Sequence, residues 1–204
     1  MMKKWLFPFI SAAAAAVLSI LAYPSLPARM AIHFNASDAA DNWASKPLGA
    51  FLMPVFILAI SLILQLAIRL EKDEQRRLRI EASIGSVMAA LSAALLLVHA
   101  FILAHNLGYV ISASRAAVVI AGCLFILLGN VMPRLPRSQY KWPKLPEATE
   151  RKAIRQVGRC MLAAGILLLP LVLLPQSYIL PLFFLCISAF VIATLVIVFR
   201  YRQA

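Results

Sequence analysis

Six long apolar runs constrain this chain more than any other feature of its sequence. Each run has the roughly 20 mostly apolar residues that an α-helix needs to cross the hydrocarbon core of a bilayer. We predict six transmembrane helices: Trp5–Tyr23, Leu48–Leu70, Ser83–His105, Ala113–Met132, Gly158–Pro175 and Tyr178–Phe199. Because a helix satisfies its own backbone hydrogen bonds in lipid, the predicted fold class is an all-α, polytopic membrane protein.

The composition agrees with a membrane protein. Apolar residues make up 63% of the chain and charged residues only 14%, against about 25% charged residues in soluble domains. So few charges cannot cover the surface of a soluble fold of this size. This excludes an ordinary soluble enzyme, a disordered tail and a nucleic-acid-binding domain. The three cysteines lie in or beside apolar runs and form neither a disulfide framework nor a Cys-x-x-Cys metal pair.

The distribution of lysine and arginine predicts the orientation. With the N-terminus inside, 17 of the 20 cationic residues fall on the cytoplasmic side, which the positive-inside rule favours. The remaining three are Arg29, Lys46 and Arg115. The net charge of +12 is therefore a topology signal, and we expect no nucleic-acid partner. Both termini are predicted to be cytoplasmic.

The N-terminus has an alternative interpretation as a secretory signal peptide. Two lysines precede an alanine-rich apolar run, as in such peptides. The run from Trp5 to Tyr23 is longer than the roughly 7–15 residues of a signal-peptide core, and Pro24 and Pro27 follow it instead of a small-residue cleavage site. We therefore favour an uncleaved first span.

The spans divide the sequence into two modules. Residues 1–70 form a predicted N-terminal two-span module with an external loop at residues 24–47, and residues 71–204 form a four-span module with a cytoplasmic loop at residues 133–157. The external loop is the longest outer segment and the richest in polar groups. Within it, Met30–Phe34 alternates like a short strand, and Asn-Ala-Ser-Asp is typical of a turn.

The external loop holds our candidate ligand-binding residues. They are His33, Phe34, Asn35, Asp38, Asp41 and Trp43. The alternative is that these side chains only tie the loop to the ends of the helices. The spacing of His33, Asp38 and Asp41 matches no strong metal template, and turn formation is the ordinary use of such aspartates. We expect no metal and no other cofactor.

A second set of candidate residues lies in or near the membrane and on the cytoplasmic side. We predict that the members of this set act inside the membrane or pass a response to the cytoplasmic face, which we call the readout. They are His99, Gly129, Asn130, Pro133, Arg134 and Trp142. A histidine inside a span is costly and often functional; the alternative for His99 is a hydrogen bond inside the bundle. Gly129 allows close approach of a neighbouring backbone. The cationic, proline-rich segment from Pro133 to Pro146 is expected to lie extended and to bind membrane lipid, and a helix is expected from Glu147 onward.

The sequence carries none of the motifs that would indicate an enzyme. It has no His-Glu-x-x-His, no Gly-x-Ser-x-Gly and no glycine-rich phosphate loop. The predicted spans contain no acidic residue, which weakens a proton-coupled transporter. We expect a protein that is not an enzyme, with a small-solute or lipid transporter or channel-like protein as the alternative.

Two stretches of the sequence resemble the SdpI family. The first is Leu-Pro-x-Arg-x-x-Ile-His-Phe-Asn, ending at Asn35, followed by Asp-x-Trp-x-Ser-Lys, ending at Lys46. The second is Leu-Leu-Gly-Asn-Val-Met-Pro-Arg, ending at Arg134. The chain departs from the family pattern at Ala36, where members usually have glycine, and at residues 137–143, where the usual Arg-Thr core is absent.

The resemblance carries functional expectations. It implies a multi-pass protein of the bacterial inner membrane that gives immunity to a secreted antimicrobial peptide. It also implies signal transduction to a cytoplasmic regulator. We therefore expect a secreted peptide toxin to be sensed at the external loop, with protection of the membrane or a signal to the cytoplasmic face as the result.

The predicted orientation is tested by fusing a reporter after Lys46. Alkaline phosphatase, which needs disulfides and so folds outside the cytoplasm, should be active when fused there, because the cation distribution places this residue outside. The same reporter fused after Arg202 should be inactive. A fusion that is inactive after Lys46 and active after Arg202 would contradict the orientation.

Overall fold

The computed structural model describes residues 6–134 and 147–202. Its six α-helices are α1 (Leu6–Ala22), α2 (Lys46–Arg69), α3 (Glu74–Asn106), α4 (Ala113–Val131), α5 (Glu147–Leu168) and α6 (Gln176–Arg202). Two strands, β1 (Arg29–Phe34) and β2 (Ala40–Ser45), lie between α1 and α2. All six helices contain a stretch long and apolar enough to cross a membrane. The predicted all-α, six-span architecture is confirmed, with a β-hairpin added; the orientation of the termini stays a prediction.

Two helices extend beyond the predicted spans. Helix α3 begins at Glu74, where the sequence has oppositely charged residues four positions apart, and Arg77 Nε lies 3.9 Å from a carboxylate oxygen of Glu81. Helix α5 begins at Glu147, and its membrane-crossing stretch starts at Thr149 instead of the predicted Gly158. In both cases a polar segment continues the helix of the adjoining apolar run.

Helix α5 ends beside a proline. The α-helix stops at Leu168, and a 3-10 segment, Leu169–Leu173, follows with Pro170 near its start. Proline has no N–H, and its ring collides with the carbonyl four residues earlier, so an α-helix is interrupted there. Pro170 therefore accounts for the change from α-helix to 3-10 helix at this point.

The chain forms two compact units, Met1–Ile120 and Ala121–Ala204. In the first unit, α1, α2 and α3 pack against one another, and the β-hairpin packs on α2 and α3. A cluster of buried apolar residues lies beneath the hairpin: Leu26, Met30, Ala50, Ile102 and Leu103. The hairpin therefore shares its apolar core with the helices that it covers.

The second unit contains a close contact between α4 and α5. Gly122 faces Gly165, and Gly129 faces Gly158, so each helix presents glycines seven residues apart. A Cβ atom added to Gly129 would lie 2.7 Å from the carbonyl oxygen of Gly158, and one added to Gly165 would lie 2.7 Å from that of Gly122. Small residues let membrane helices approach to main-chain contact, and any larger side chain here would separate the two helices.

Large apolar side chains are exposed along the helices. Leu21 is 74% exposed and Phe184 is 62% exposed. Soluble monomers rarely expose contiguous apolar surface of this kind, whereas lipid tails solvate it. The exposed apolar surface is thus the one expected of helices in a bilayer.

Candidate functional site

The external loop folds into an antiparallel β-hairpin. Strand β1 pairs with β2, with Met30 opposite Ala44 and Ala31 opposite Trp43, and the register is irregular near His33. The predicted strand at Met30–Phe34 is confirmed. Strand β2 was not predicted, because Asp, Asn and Ala are poor strand formers.

The turn of the hairpin is built by Asn35. Its side-chain oxygen accepts hydrogen bonds from the backbone N–H groups of Ser37, at 2.9 Å, and Ala39, at 3.0 Å. Asp38 has a φ of 60°, in the left-handed region that aspartate tolerates better than most residues. The predicted turn is confirmed, and the exposed Asn35 uses its oxygen to form it.

Met30 fixes the hairpin to the start of α2. Its side chain is fully buried and packs on Gly49, where an added Cβ would lie 2.9 Å from both Cβ and Sδ of Met30. Glycine at this position lets the thioether fill the space. Nearby, Lys46 Nζ lies 4.8 Å from the centroid of the Tyr23 ring, a cation–π distance.

Asn106, at the end of α3, holds the outer edge of β1. Its Oδ1 accepts a hydrogen bond from the Ala31 N–H at 2.8 Å, and its Nδ2 donates to the Ala31 carbonyl, also at 2.8 Å. The same amide donates to the Ile102 carbonyl on its own helix. The side chain therefore acts as a short third strand, satisfying both main-chain groups of Ala31 that face away from β2.

Aromatic rings make a second contact between the hairpin and α3. The Phe34 ring lies 4.5 Å from the imidazole of His105 and 5.3 Å from the ring of Phe101, both in edge-to-face arrangement. Such arrangements are favourable beyond the area that they bury. Phe34 is half-buried against α3 and thus anchors the hairpin.

Asp38 connects the hairpin tip to the first turn of α4. Its Oδ1 accepts a hydrogen bond from the Ser114 N–H at 2.8 Å. The first N–H groups of a helix lack partners within the helix, and a negative charge is favourable there. Asp38 thus caps α4 from another part of the first unit.

His33, Asp41 and Trp43 lie on the exposed surface of the hairpin. His33 Nδ1 and Asp41 Oδ1 are 2.5 Å apart, with side chains 67% and 41% exposed. Trp43 is 46% exposed. Three of the six predicted ligand-binding residues, Phe34, Asn35 and Asp38, make contacts that shape or anchor the hairpin. The other three present an imidazole, an acid and an indole group outward: His33, Asp41 and Trp43.

His99 lies in a buried hydrogen-bond cluster that joins three helices. The Ser19 hydroxyl, on α1, lies 2.8 Å from His99 Nε2, on α3, and 2.5 Å from the Ala50 carbonyl oxygen, on α2. The Ala15 carbonyl oxygen is a further acceptor, at 2.9 Å. The hydroxyl has one proton to donate to a carbonyl, so the geometry fits the tautomer that carries a proton on Nε2 and donates it to Oγ. His99 and Ser19 are both fully buried.

Apart from His99, the candidate readout residues that the structure describes lie in the second unit. Gly129 is in the glycine contact with α5, and Asn130 is exposed. Pro133 is exposed, and its ring lies 3.1 Å from the position of an added Cβ on Gly158. Arg134 ends the 3-10 turn Met132–Arg134. The first two residues of the segment expected to be extended, Pro133 and Arg134, belong instead to this 3-10 turn. Its remaining residues, 135–146, which include Trp142, lie outside the described residues.

The described part of the chain contains no group of three His, Cys, Asp or Glu side chains arranged to hold a metal ion. His33 and Asp41 form a pair without a third such ligand among these residues. The exposed side chains of His33, Asp41 and Trp43 offer hydrogen bonding, charge and aromatic contact.

Residues 5–58 match the family model of DUF1648, a domain of unknown function. The match covers α1, the hairpin and the first half of α2, so it includes all six candidate ligand-binding residues. No curated protein and no solved structure matches the chain.

Asn106→Asp should loosen β1. The carboxylate keeps an acceptor for the Ala31 N–H but loses both donated hydrogen bonds and places negative charge beside two carbonyl oxygens, each lost bond costing about 1 kcal/mol or more. We expect faster amide hydrogen exchange over residues 29–34, measured by mass spectrometry. Asn42→Asp, on the exposed side of β2, is the matched control and should leave exchange unchanged; equal effects in both variants would contradict the Asn106 contact.

Ser19→Ala should destabilise the first unit. The change removes the donor to Ala50 and the partner of His99 Nε2, and leaving buried polar groups unsatisfied costs about 1–3 kcal/mol. Ser61→Ala is the control, since Ser61 is equally buried but donates only within its own helix, to Ile57. The thermal midpoint in detergent should fall clearly further for Ser19→Ala. Similar falls would show that the hydroxyl makes no special contribution at position 19.

Proposed function

We propose that this chain is a binding protein of the bacterial inner membrane, not an enzyme, and that its β-hairpin recognises a secreted antimicrobial peptide. The observation that carries the proposal is a hairpin fixed to helices α2, α3 and α4 that presents His33, Asp41 and Trp43 outward. A surface that is held in place loses little conformational entropy when it binds. The proposed result is immunity: the peptide is captured before it damages the membrane.

The exposed groups suit an amphipathic, cationic ligand. Asp41 supplies negative charge, and Trp43 supplies a large ring with an N–H donor, of a kind often found at membrane interfaces. A peptide that partitions into the outer interface would bring cations and apolar side chains to the same depth. The cation distribution, which predicts an external hairpin, supports this assignment.

The resemblance to the SdpI family supports the same function. The residues that carry its first part, His33, Asn35 and Asp41 among them, are the ones that form and decorate the hairpin. The second part includes Gly129 and Asn130, to which we assign the readout toward a cytoplasmic regulator. In this proposal, replacing Asn130 leaves peptide binding intact and removes the cytoplasmic response.

Transport of a small solute or lipid is the second candidate function. The observation that favours it is the buried Ser19–His99 pair, because polar side chains inside spans often mark a transport path. The two functions differ in a simple assay. Protection of expressing cells against added peptide supports immunity, whereas altered uptake of a small solute, without protection, supports transport.

Asp41→Asn should reduce protection against cationic peptides by about two- to fivefold, as expected for loss of an exposed ion pair. Survival of cells that express each variant, over a dilution series of peptide at low salt, measures the effect. Asp41→Glu is the matched control and should protect like the parent. High salt should shrink the difference between the variants, because screening already weakens the pair.

Asp38 requires a separate variant. Since its carboxylate caps α4, Asp38→Ala tests helix capping as well as charge, because asparagine would keep an oxygen that accepts the Ser114 N–H. Asp38→Ala should lower thermal stability where Asp41→Asn does not. If Asp41→Asn protects as well as the parent at low salt, the hairpin is a structural clasp and the proposed recognition is wrong.

A further inference from the structure

The two edges of the hairpin differ in how their main-chain groups are satisfied. Ala31 and Trp43 are directly paired, and Ala31 turns its N–H and C=O away from β2 toward the Asn106 side chain. In an antiparallel ladder, both residues of such a pair direct these groups outward. The N–H and C=O of Trp43 therefore point to the outer edge of β2.

The outer edge of β2 is open at Trp43. Among the described residues, the hydrogen bonds outside the strand ladder include none to the main-chain N–H or C=O of Trp43, and the side chains of Asp41, Asn42 and Trp43 are exposed. Exposed edges pair readily with another strand, and proteins block them with lysine or proline, with bulges or with very short strands. Strand β2, Ala-Asp-Asn-Trp-Ala-Ser, has neither lysine nor proline, and the residue of β2 that is left out of the regular pairing is Asp41, on the turn side of Trp43.

We propose that this edge binds an extended, cationic peptide strand through main-chain hydrogen bonds at Trp43. The inference rests on the recognition function proposed above and gives its binding mode, the addition of a strand to a sheet edge. The peptide becomes the third strand on the β2 side, in the position that Asn106 fills on the β1 side.

Charge selects the occupant. The exposed carboxylate on β2 is that of Asp41, and its described partner is His33, so a cation on the added strand finds an acid beside it. Across the hairpin, residues 29–45, Arg29 is the single lysine or arginine, and it is paired with Ser45 at the opposite end from the turn. An added strand that carries both apolar and cationic side chains could place an apolar group on the Trp43 ring and a cation at the Asp41 carboxylate.

The probe is an alternating valine–lysine decapeptide, labelled for fluorescence polarisation and titrated with the full chain in detergent micelles. Its control is a fully N-methylated copy, which has the same side chains and charge but no backbone N–H. We expect the copy to bind about fivefold more weakly, since it cannot donate the main-chain hydrogen bond to the Trp43 C=O. Equal binding of the two peptides would overturn the proposal without requiring any variant of the protein.

A pair of protein variants locates the contact. Trp43→Ala removes the indole but keeps the N–H, and Trp43→Pro removes both while sparing the hairpin, because that N–H is not donated to β1 and proline is tolerated at such an edge position. The decapeptide should bind about fivefold more weakly to Trp43→Pro than to Trp43→Ala. Equal affinities of the two variants for the decapeptide would overturn edge pairing.

The outcomes separate edge pairing from the proposed function. If the N-methylated copy binds as well as the parent peptide and Asp41→Asn weakens both, edge pairing is wrong and the recognition surface stands. If the decapeptide does not bind the parent protein, edge pairing is wrong, and the survival assay decides the function independently. A dimer of the parent chain that is absent in Trp43→Pro, detected by light scattering without peptide, would place a second copy on the edge and overturn the choice of a peptide.

Discussion

The hydrogen bonds between the Asn106 side chain and Ala31 are the contact on which the rest of the outer surface depends. A two-stranded hairpin is marginal in water without further support. Here one amide fixes β1 to the end of α3. With β1 held, Met30 is placed over Gly49, Phe34 reaches the ring of His105, and Asp38 reaches the N-terminus of α4. The orientation of His33, Asp41 and Trp43 follows from these contacts.

Much of the fold could be predicted from sequence because hydrophobic length and alternation are local signals. Six apolar runs of membrane-spanning length predict six helices, and the alternation in Met30–Phe34 predicts a strand. The polar start of α3 carries a local signal too, since the opposite charges of Arg77 and Glu81 are four residues apart, a spacing that supports a helix. In each case the pattern lies within the element that it specifies.

The rest of the site depends on partners that are distant in sequence. Strand β2 consists of residues with weak strand propensity, and pairing with β1 imposes its conformation. Phe34 and Asp38 look like exposed loop residues until α3 and α4 are placed beside them. Ser19, in an alanine-rich helix, gives no signal until His99 stands 80 positions later in the chain and 2.8 Å away. The contact of Asn106 could have been predicted from the sequence, since an amide side chain at the end of a span and next to a strand readily bonds to main-chain groups.

Helix α3 connects the hairpin to the buried interior of the first unit. The energies of the hydrogen bonds along this helix determine whether a ligand on the hairpin could move it. Asn106 and His99 are seven residues apart, so they lie on one face of the helix, about 10 Å apart along its axis. Rotation of α3 would break hydrogen bonds at both positions, each costing about 1–3 kcal/mol when its groups stay buried and unsatisfied.

A ligand shifts an equilibrium only by its difference in affinity for the two states, and a full switch needs about 5.5 kcal/mol. An exposed ion pair at Asp41 supplies about 0.2–1 kcal/mol, and an edge hydrogen bond supplies about 1 kcal/mol. Contacts of this size can hold a peptide on the hairpin but cannot, by themselves, turn α3. For the proposed function, contacts of this size account for capture of the peptide at the surface, and a readout at Asn130 requires differential contacts beyond those at Asp41 and the hairpin edge.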